Sequence, residues 1–140
     1  MNTILVVEDN EANMYLARYI LENSGFKVLE ARNGLDGVQK ATTEDVDLIL
    51  MDIQLPDIDG LEATRRIREL KSDLPIVALT SYAMASDKQR SLEAGCTGYL
   101  SKPIDPETIV SQINDYLSKT ASIPIALNES FTLYSNNAPQ

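Results

Sequence analysis

Histidine is absent from all 140 residues. That excludes histidine-dependent triads, histidine metal sites and a phosphohistidine formed on this chain. Any phosphohistidine chemistry must involve a partner. Cysteine occurs once, at Cys96, so no disulfide can close within the chain. A lone cysteine in this setting reads as a small buried hydrophobe rather than a reactive thiol. Positive charge is scarce: 12 Lys and Arg stand against 21 Asp and Glu, for a net charge of −9. Nonspecific nucleic-acid binding and docking on anionic lipid both depend on Lys and Arg, so neither is expected. The balance suits divalent cations and basic partner surfaces instead. No apolar run approaches the ~18 residues of a membrane span. No charged segment followed by a long apolar one opens the chain, so no signal peptide is read there. Cytoplasmic residence is the expectation. Charge also runs out at the C-terminal end, where residues 121–140 hold only Glu129 and hold neither helical nor strand period for long. They read as an extended tail. Asn128-Glu129-Ser130 matches a glycosylation sequon, which carries little meaning in a cytoplasmic protein.

What is present is an ordinary globular composition, 44% apolar and 24% charged, in one domain's length of chain. Ile4–Val7, Val28-Leu29, Leu48–Met51, Ile76–Leu79 and Gly98–Leu100 are short apolar runs. They read as strands, the first, third and fourth as buried on both faces. Between and after them lie helical stretches. Glu11–Asn23 has Asn10 as N-cap, Gly25 as stop, and Met14, Ala17, Tyr19, Ile20 and Leu21 on its apolar positions. Gly34–Ala41 turns Leu35, Val38 and Ala41 inward. Leu61–Leu70 keeps Arg65, Arg66 and Arg68 mostly outward as a solvated face. Ala85–Ala94 is closed by Gly95. A last helix starts at Asp105-Pro106 and runs to about Leu117. Strands alternating with helices imply an α/β fold: a doubly wound, five-stranded parallel sheet with five helices on its two faces. In such sheets ligands bind outside the carboxyl ends of the strands.

The residues at those ends are therefore the informative ones. The first strand ends in Glu8-Asp9, the third in Asp52, the fourth in Thr80, and the fifth leads to Lys102. On one sheet edge they form three carboxylates, a hydroxyl and an ammonium. Clustered carboxylates repel one another, and a hard cation relieves that repulsion. An aspartate beside such a cation can act as nucleophile on phosphorus. Lys102 supplies a point charge for the phosphoryl oxygens and Thr80 a hydroxyl donor. Singly, each residue would be a helix cap, a strand terminus or a surface lysine. Their joint occurrence in this order argues for a site.

These residues strongly resemble the receiver domain of two-component response regulators. The resemblance rests on Val7-Glu8-Asp9-Asn10, on Met51-Asp52-Ile53-Gln54-Leu55-Pro56 with Asp59-Gly60, on Leu79-Thr80-Ser81 and on Ser101-Lys102-Pro103. It covers about residues 3–120. Glu8-Asp9-Asn10, Met51–Pro56 and Ala83-Met84 resemble receivers of hybrid kinases and single-domain regulators. The family implies a strand order of 2-1-3-4-5, with residues 1–120 as the receiver and 121–140 as a tail without an output domain. It implies Asp52 as phosphoacceptor, with Lys102 and Thr80 at the phosphoryl group. Asp9, Asp52 and the Gln54 backbone carbonyl become ligands of Mg²⁺ or Mn²⁺, and Glu8 acts through metal-bound water. Thr80 and Tyr99 form the switch pair that reshapes the surface of the fourth helix, fifth strand and fifth helix. Gln54 and Tyr82 flank the path of the hydrolysing water, and bulky Tyr82 predicts slow self-dephosphorylation.

Such a chain is a signalling protein that catalyses only its own phosphorylation and dephosphorylation. Its donor would be a sensor histidine kinase or phosphotransfer protein and its output a downstream protein target. Nucleic acid and membrane are not expected as partners, and the state is monomer or weak homodimer. A phosphorylation-independent binding module of the same fold is the main alternative. An aspartate-nucleophile phosphatase needs Asp-x-Asp at the nucleophile. Here Asp52 is followed by Ile53-Gln54, and the spacing occurs only in the loop, at Asp57-Ile58-Asp59.

Overall fold

The computed structural model describes residues 1–81 and 85–126. The elements are β1 (Thr3–Val7), α1 (Glu11–Asn23), β2 (Lys27–Ala31), α2 (Gly34–Thr43), β3 (Leu48–Asp52), α3 (Gly60–Leu70), β4 (Ile76–Thr80), α4 (Ala85–Ala94), β5 (Gly98–Ser101) and α5 (Ile109–Ala126). The five strands form one sheet in the order β2-β1-β3-β4-β5. Every pairing is parallel. This is the architecture expected from the alternation of strands and helices.

The central strands are apolar throughout because both of their faces are covered. Ile4, Val6, Leu48, Leu50, Val77 and Leu79 face α1 and α5, where they meet Met14, Ile20, Leu21 and Ile113. The alternate residues Leu5, Val7, Ile49, Met51, Ile76 and Ala78 face α2, α3 and α4. Burying an aliphatic side chain of this size contributes roughly 1.5–3 kcal/mol before ordering costs, so these two half-cores dominate the stability. They also hold the strands in register, with Val7 opposite Met51 and Asp52 opposite Leu79. That register brings the carboxyl ends of β1, β3 and β4 level.

Helix starts follow local capping chemistry. Asn10 accepts from Asn13 N at 2.9 Å, Asn33 from Asp36 N at 2.8 Å and Asp59 from Glu62 N at 2.8 Å. Each side-chain oxygen satisfies an N–H that the first turn leaves without a partner. Gly25 follows α1 in the left-handed region (φ 93), which no β-carbon obstructs at glycine.

Four local expectations change. Tyr19 and Leu35 occupy helical apolar positions but are exposed, because the stripe that meets the sheet is narrower than the apolar residues would allow. Arg68 does not belong to a solvated face. Its guanidinium is half-buried and donates to Gly95 O at 2.7 Å, to Lys71 O at 3.0 Å and to the Leu74 carbonyl. It joins the end of α3 to the α4–β5 connection. Residues 106–108 form a turn before α5, and Asp105 O accepts from Ile109 N at 2.9 Å. Finally, α5 continues to Ala126 rather than ending near Leu117. Low charge is no helix stop, and propagation adds a hydrogen bond for each residue fixed. The expected tail beyond residue 126 lies outside the described residues. No described helix is long and apolar enough to cross a membrane.

Candidate functional site

The carboxyl edge of the sheet collects the side chains that the sequence singles out. Glu8 follows β1 and Asp52 ends β3, and both are buried. Asp9 is exposed beside them. One carboxylate oxygen from each of Glu8, Asp9 and Asp52 lies within 4.8 Å of the others. Oxygen donors converging at that spacing, two of them buried, fit a hard divalent cation.

Lys102 supplies the counter-charge. It reaches the edge because β4 and β5 pair with Thr80 opposite Ser101, and its own N–H donates to Thr80 O at 2.8 Å. The Lys102–Pro103 peptide that follows is cis. The ammonium bridges two carboxylates, at 3.1 Å from Glu8 Oε1 and 3.2 Å from Asp52 Oδ2. Burial is the largest single influence on Lys102 and pulls its pKa down. The Glu8 hydrogen bond and the charges of Asp52 and Glu8 together outweigh it and hold the pKa above its ordinary value. Lys102 is therefore a fixed cation at neutral pH. The other Glu8 oxygen, Oε2, accepts from Asn10 N at 3.1 Å. Glu8 thus has a direct ionic partner beyond the water-mediated role the family implies.

Asp52 is also held from the backbone side. Gln54 N donates to Asp52 Oδ1 at 3.1 Å, which turns the start of the β3–α3 loop over the carboxylate. Gly60 closes that loop by donating to Ile53 O at 2.8 Å. Its Cα rests so tightly against the Asp52 carbonyl that an added Cβ would overlap the oxygen. In the sequence Gly60 stands out only within the Asp59-Gly60 motif. Aspartate followed eight residues later by glycine at a helix start was the available signal.

Thr80 is buried at the end of β4, on the wall of a cavity that also takes in Gln54, Ser81 and Arg90. Tyr99 is half-buried on β5 and packs with the α2–α3–α4 half-core. The Lys88 ammonium of α4 sits 5.1 Å from its ring centroid. Tyr82 lies outside the described residues. Asp57 and Asp59, the pair with phosphatase-like spacing, are both occupied elsewhere. Asp57 accepts from Gly34 N and Leu35 N at the start of α2, and Asp59 caps α3. Neither belongs to the cation-sized carboxylate group. Cys96 is buried beside Thr64 Oγ1 at 3.8 Å, and burial pushes its thiol up, as its reading as a core residue anticipated.

The chain is similar to known proteins. The sequence profile of the response regulator receiver domain matches residues 4–121. The chain is 42% identical over 118 residues to the polar-differentiation response regulator DivK of Brucella anthropi, covering 82% of this chain and 95% of that protein. It is 40% identical over 117 residues to DivK of Brucella ovis, with the same coverage. Among solved structures, the CheY-like response regulator receiver domain protein of Methanospirillum hungatei superposes with a TM-score of 0.83. It is 30% identical, and the match covers 88% of this chain and 98% of that one. The receiver domain of the sensor histidine kinase PA1611 from Pseudomonas aeruginosa superposes at 0.78 with 34% identity, over 84% of this chain and 98% of that one. That structure holds a magnesium ion in its active site cleft. The parallel sheet in the order 2-1-3-4-5, the acidic edge and these matches lead to one conclusion: the chain belongs to the response regulator receiver domain family.

Proposed function

We propose that the chain accepts a phosphoryl group on Asp52 from a phosphohistidine of a sensor histidine kinase or phosphotransfer protein, and passes the signal on by protein contact. The observation that carries this reading is the Lys102 ammonium bridging buried Asp52 and Glu8 beside exposed Asp9. A bound Mg²⁺ or Mn²⁺ would neutralise charge on the phosphoryl oxygens. Asp9, Asp52 and the Gln54 carbonyl would hold it, with Glu8 acting through water.

The chain's own residues do the rest. An Asp52 carboxylate oxygen forms the new bond to phosphorus while the bond from phosphorus to the donor's imidazole nitrogen breaks. The electron pair of that broken bond stays on the nitrogen. Lys102 transfers its hydrogen bond from Asp52 to a phosphoryl oxygen, as a positioned cation does in phosphoryl transfer. The Thr80 hydroxyl moves toward the same group, and Tyr99 follows it. The surface of α4, β5 and α5 then changes shape for a downstream protein. In this reading residues 1–120 are the receiver, and Gln54 and Tyr82 set how long the acyl phosphate lasts.

Incubation with a small acyl phosphate and Mg²⁺, followed by intact mass, tests the proposal. A single labile adduct is expected, and Asp52→Asn should abolish it. Absence of an adduct with every donor would favour a binding module of the same fold that works without phosphorylation.

A further inference from the structure

The β3–α3 loop must present the Gln54 carbonyl at a fixed place if it is to ligate a cation. Only seven residues, Ile53–Asp59, separate β3 from α3. The loop is anchored at its base, where Gln54 N meets Asp52 Oδ1 and Gly60 N meets Ile53 O. Its far side is anchored by Asp57. The Asp57 carboxylate accepts from Gly34 N at 2.7 Å and from Leu35 N at 2.8 Å, one oxygen to each. Ile58 lies directly on the bare Cα of Gly34. The negative charge meets the positive end of α2, where such a charge is favoured. Burial is the largest influence on Asp57 and pushes its pKa up, but the backbone N–H donors, led by that of Leu35, prevail and hold it below its ordinary value.

Two features separate this contact from ordinary capping. The first is that α2 already has an N-cap, because Asn33 accepts from Asp36 N. Asp57 reaches it across 23 residues of chain. The second is that both Asp57 oxygens are committed to α2 and none belongs to the clustered carboxylates.

We infer that Asp57 is a positioning residue for the cation site: by tying the β3–α3 loop to the start of α2 it fixes the Gln54 carbonyl before the cation arrives. This rests on the proposed cation site. Without the tie, cation binding must itself order the loop, and affinity falls by that cost. Groups that orient metal ligands typically change affinity by ~10-fold or more when removed.

The test measures Mg²⁺ and Mn²⁺ binding to the full chain by titration calorimetry, without a phosphodonor, for Asp57→Ala, Asp57→Glu, Asn33→Ala and Asp9→Asn. Circular dichroism checks that each is folded, and Asp57→Asn replaces Asp57→Ala if that variant is not. Asp57→Ala should raise the dissociation constant about tenfold, and Asp57→Glu should recover part of the loss. Asn33→Ala weakens the start of the same helix without touching the loop and should leave cation affinity unchanged. Equal effects of Asp57→Ala and Asn33→Ala, or none from either, would overturn the inference and make Asp57 a helix cap only. If wild type fails to bind, or Asp9→Asn binds as wild type does, the cation-site reading falls as well. Loss in Asp9→Asn with full binding in Asp57→Ala would sink the inference alone.

Discussion

Gly60 is packed against the carbonyl of Asp52 with no room for a side chain between them. The start of α3 therefore braces the backbone of the candidate acceptor from behind. Gly60→Ala should displace the end of β3 rather than fill a gap. Overpacking of this kind costs about 1–3 kcal/mol. Urea unfolding should show that loss. Phosphorylation of the folded variant should be slowed too, because the Asp52 carboxylate moves with its backbone. Unchanged stability would mean that the helix start can yield.

Lys102 contributes stability that is lost at strongly alkaline pH. Its folded pKa lies above the ordinary value of 10.5. A base raised in this way stabilises fully below its unfolded pKa and loses that contribution as pH rises through the folded one. Lys102→Met should therefore be less stable than wild type at neutral pH, by about 1–3 kcal/mol for the lost charged hydrogen bonds. The gap should narrow only above the ordinary lysine value. Thermal melts from neutral to strongly alkaline pH would show this, and a gap that stays constant throughout would refute it.

Arg68 satisfies carbonyls that the end of α4 and the α3–β4 connection leave open. Removing it strands polar groups that are only partly exposed, at a cost of about 1–3 kcal/mol. Arg68→Ala should lower stability by roughly that amount. Arg68→Lys should recover little, since a single ammonium cannot match the planar fork. Chemical denaturation of both variants decides it; full rescue by lysine would show that charge alone matters.

Lys88 lies over the Tyr99 ring. A cation–π contact at a partly exposed site contributes about 0.5–1 kcal/mol. Lys88→Gln should shift the Tyr99 ring-proton resonances of the unphosphorylated protein, with a stability loss under about 1 kcal/mol. Lys88→Arg should preserve them. Identical Tyr99 spectra in all three proteins would show that the ring's position owes nothing to the cation.

The fold was largely legible because its signal is local and repeated. Short apolar runs such as Leu48–Met51 bounded by polar residues suit strands covered on both faces, and β3 is buried along its whole length. The site was legible for a related reason: parallel strands deliver their last residues to one edge, so Glu8, Asp9, Asp52 and Thr80 had to meet there. Arg68 and Asp57 were not legible. Arg68 reaches Gly95, 27 residues away, and Asp57 reaches Gly34, 23 residues away, and nothing in a helical or loop pattern distinguishes a side chain that reaches a distant backbone from one that points into water. Tyr19 and Leu35 failed for the opposite reason, since periodicity marks an apolar position without saying how wide a stripe the sheet can cover.

The sequence by itself determined the strand and helix alternation and the chemistry gathered at the carboxyl edge. These follow from side-chain period, backbone connectivity and composition, which are properties of the chain alone. Only the tertiary structure decided that Lys102 bridges Glu8 as well as Asp52, that Gly60 backs Asp52, and that Asp57 ties the β3–α3 loop to α2. Those depend on distances of a few ångströms between segments far apart in sequence. Close packing of the two half-cores against the sheet sets them, and no local pattern encodes them.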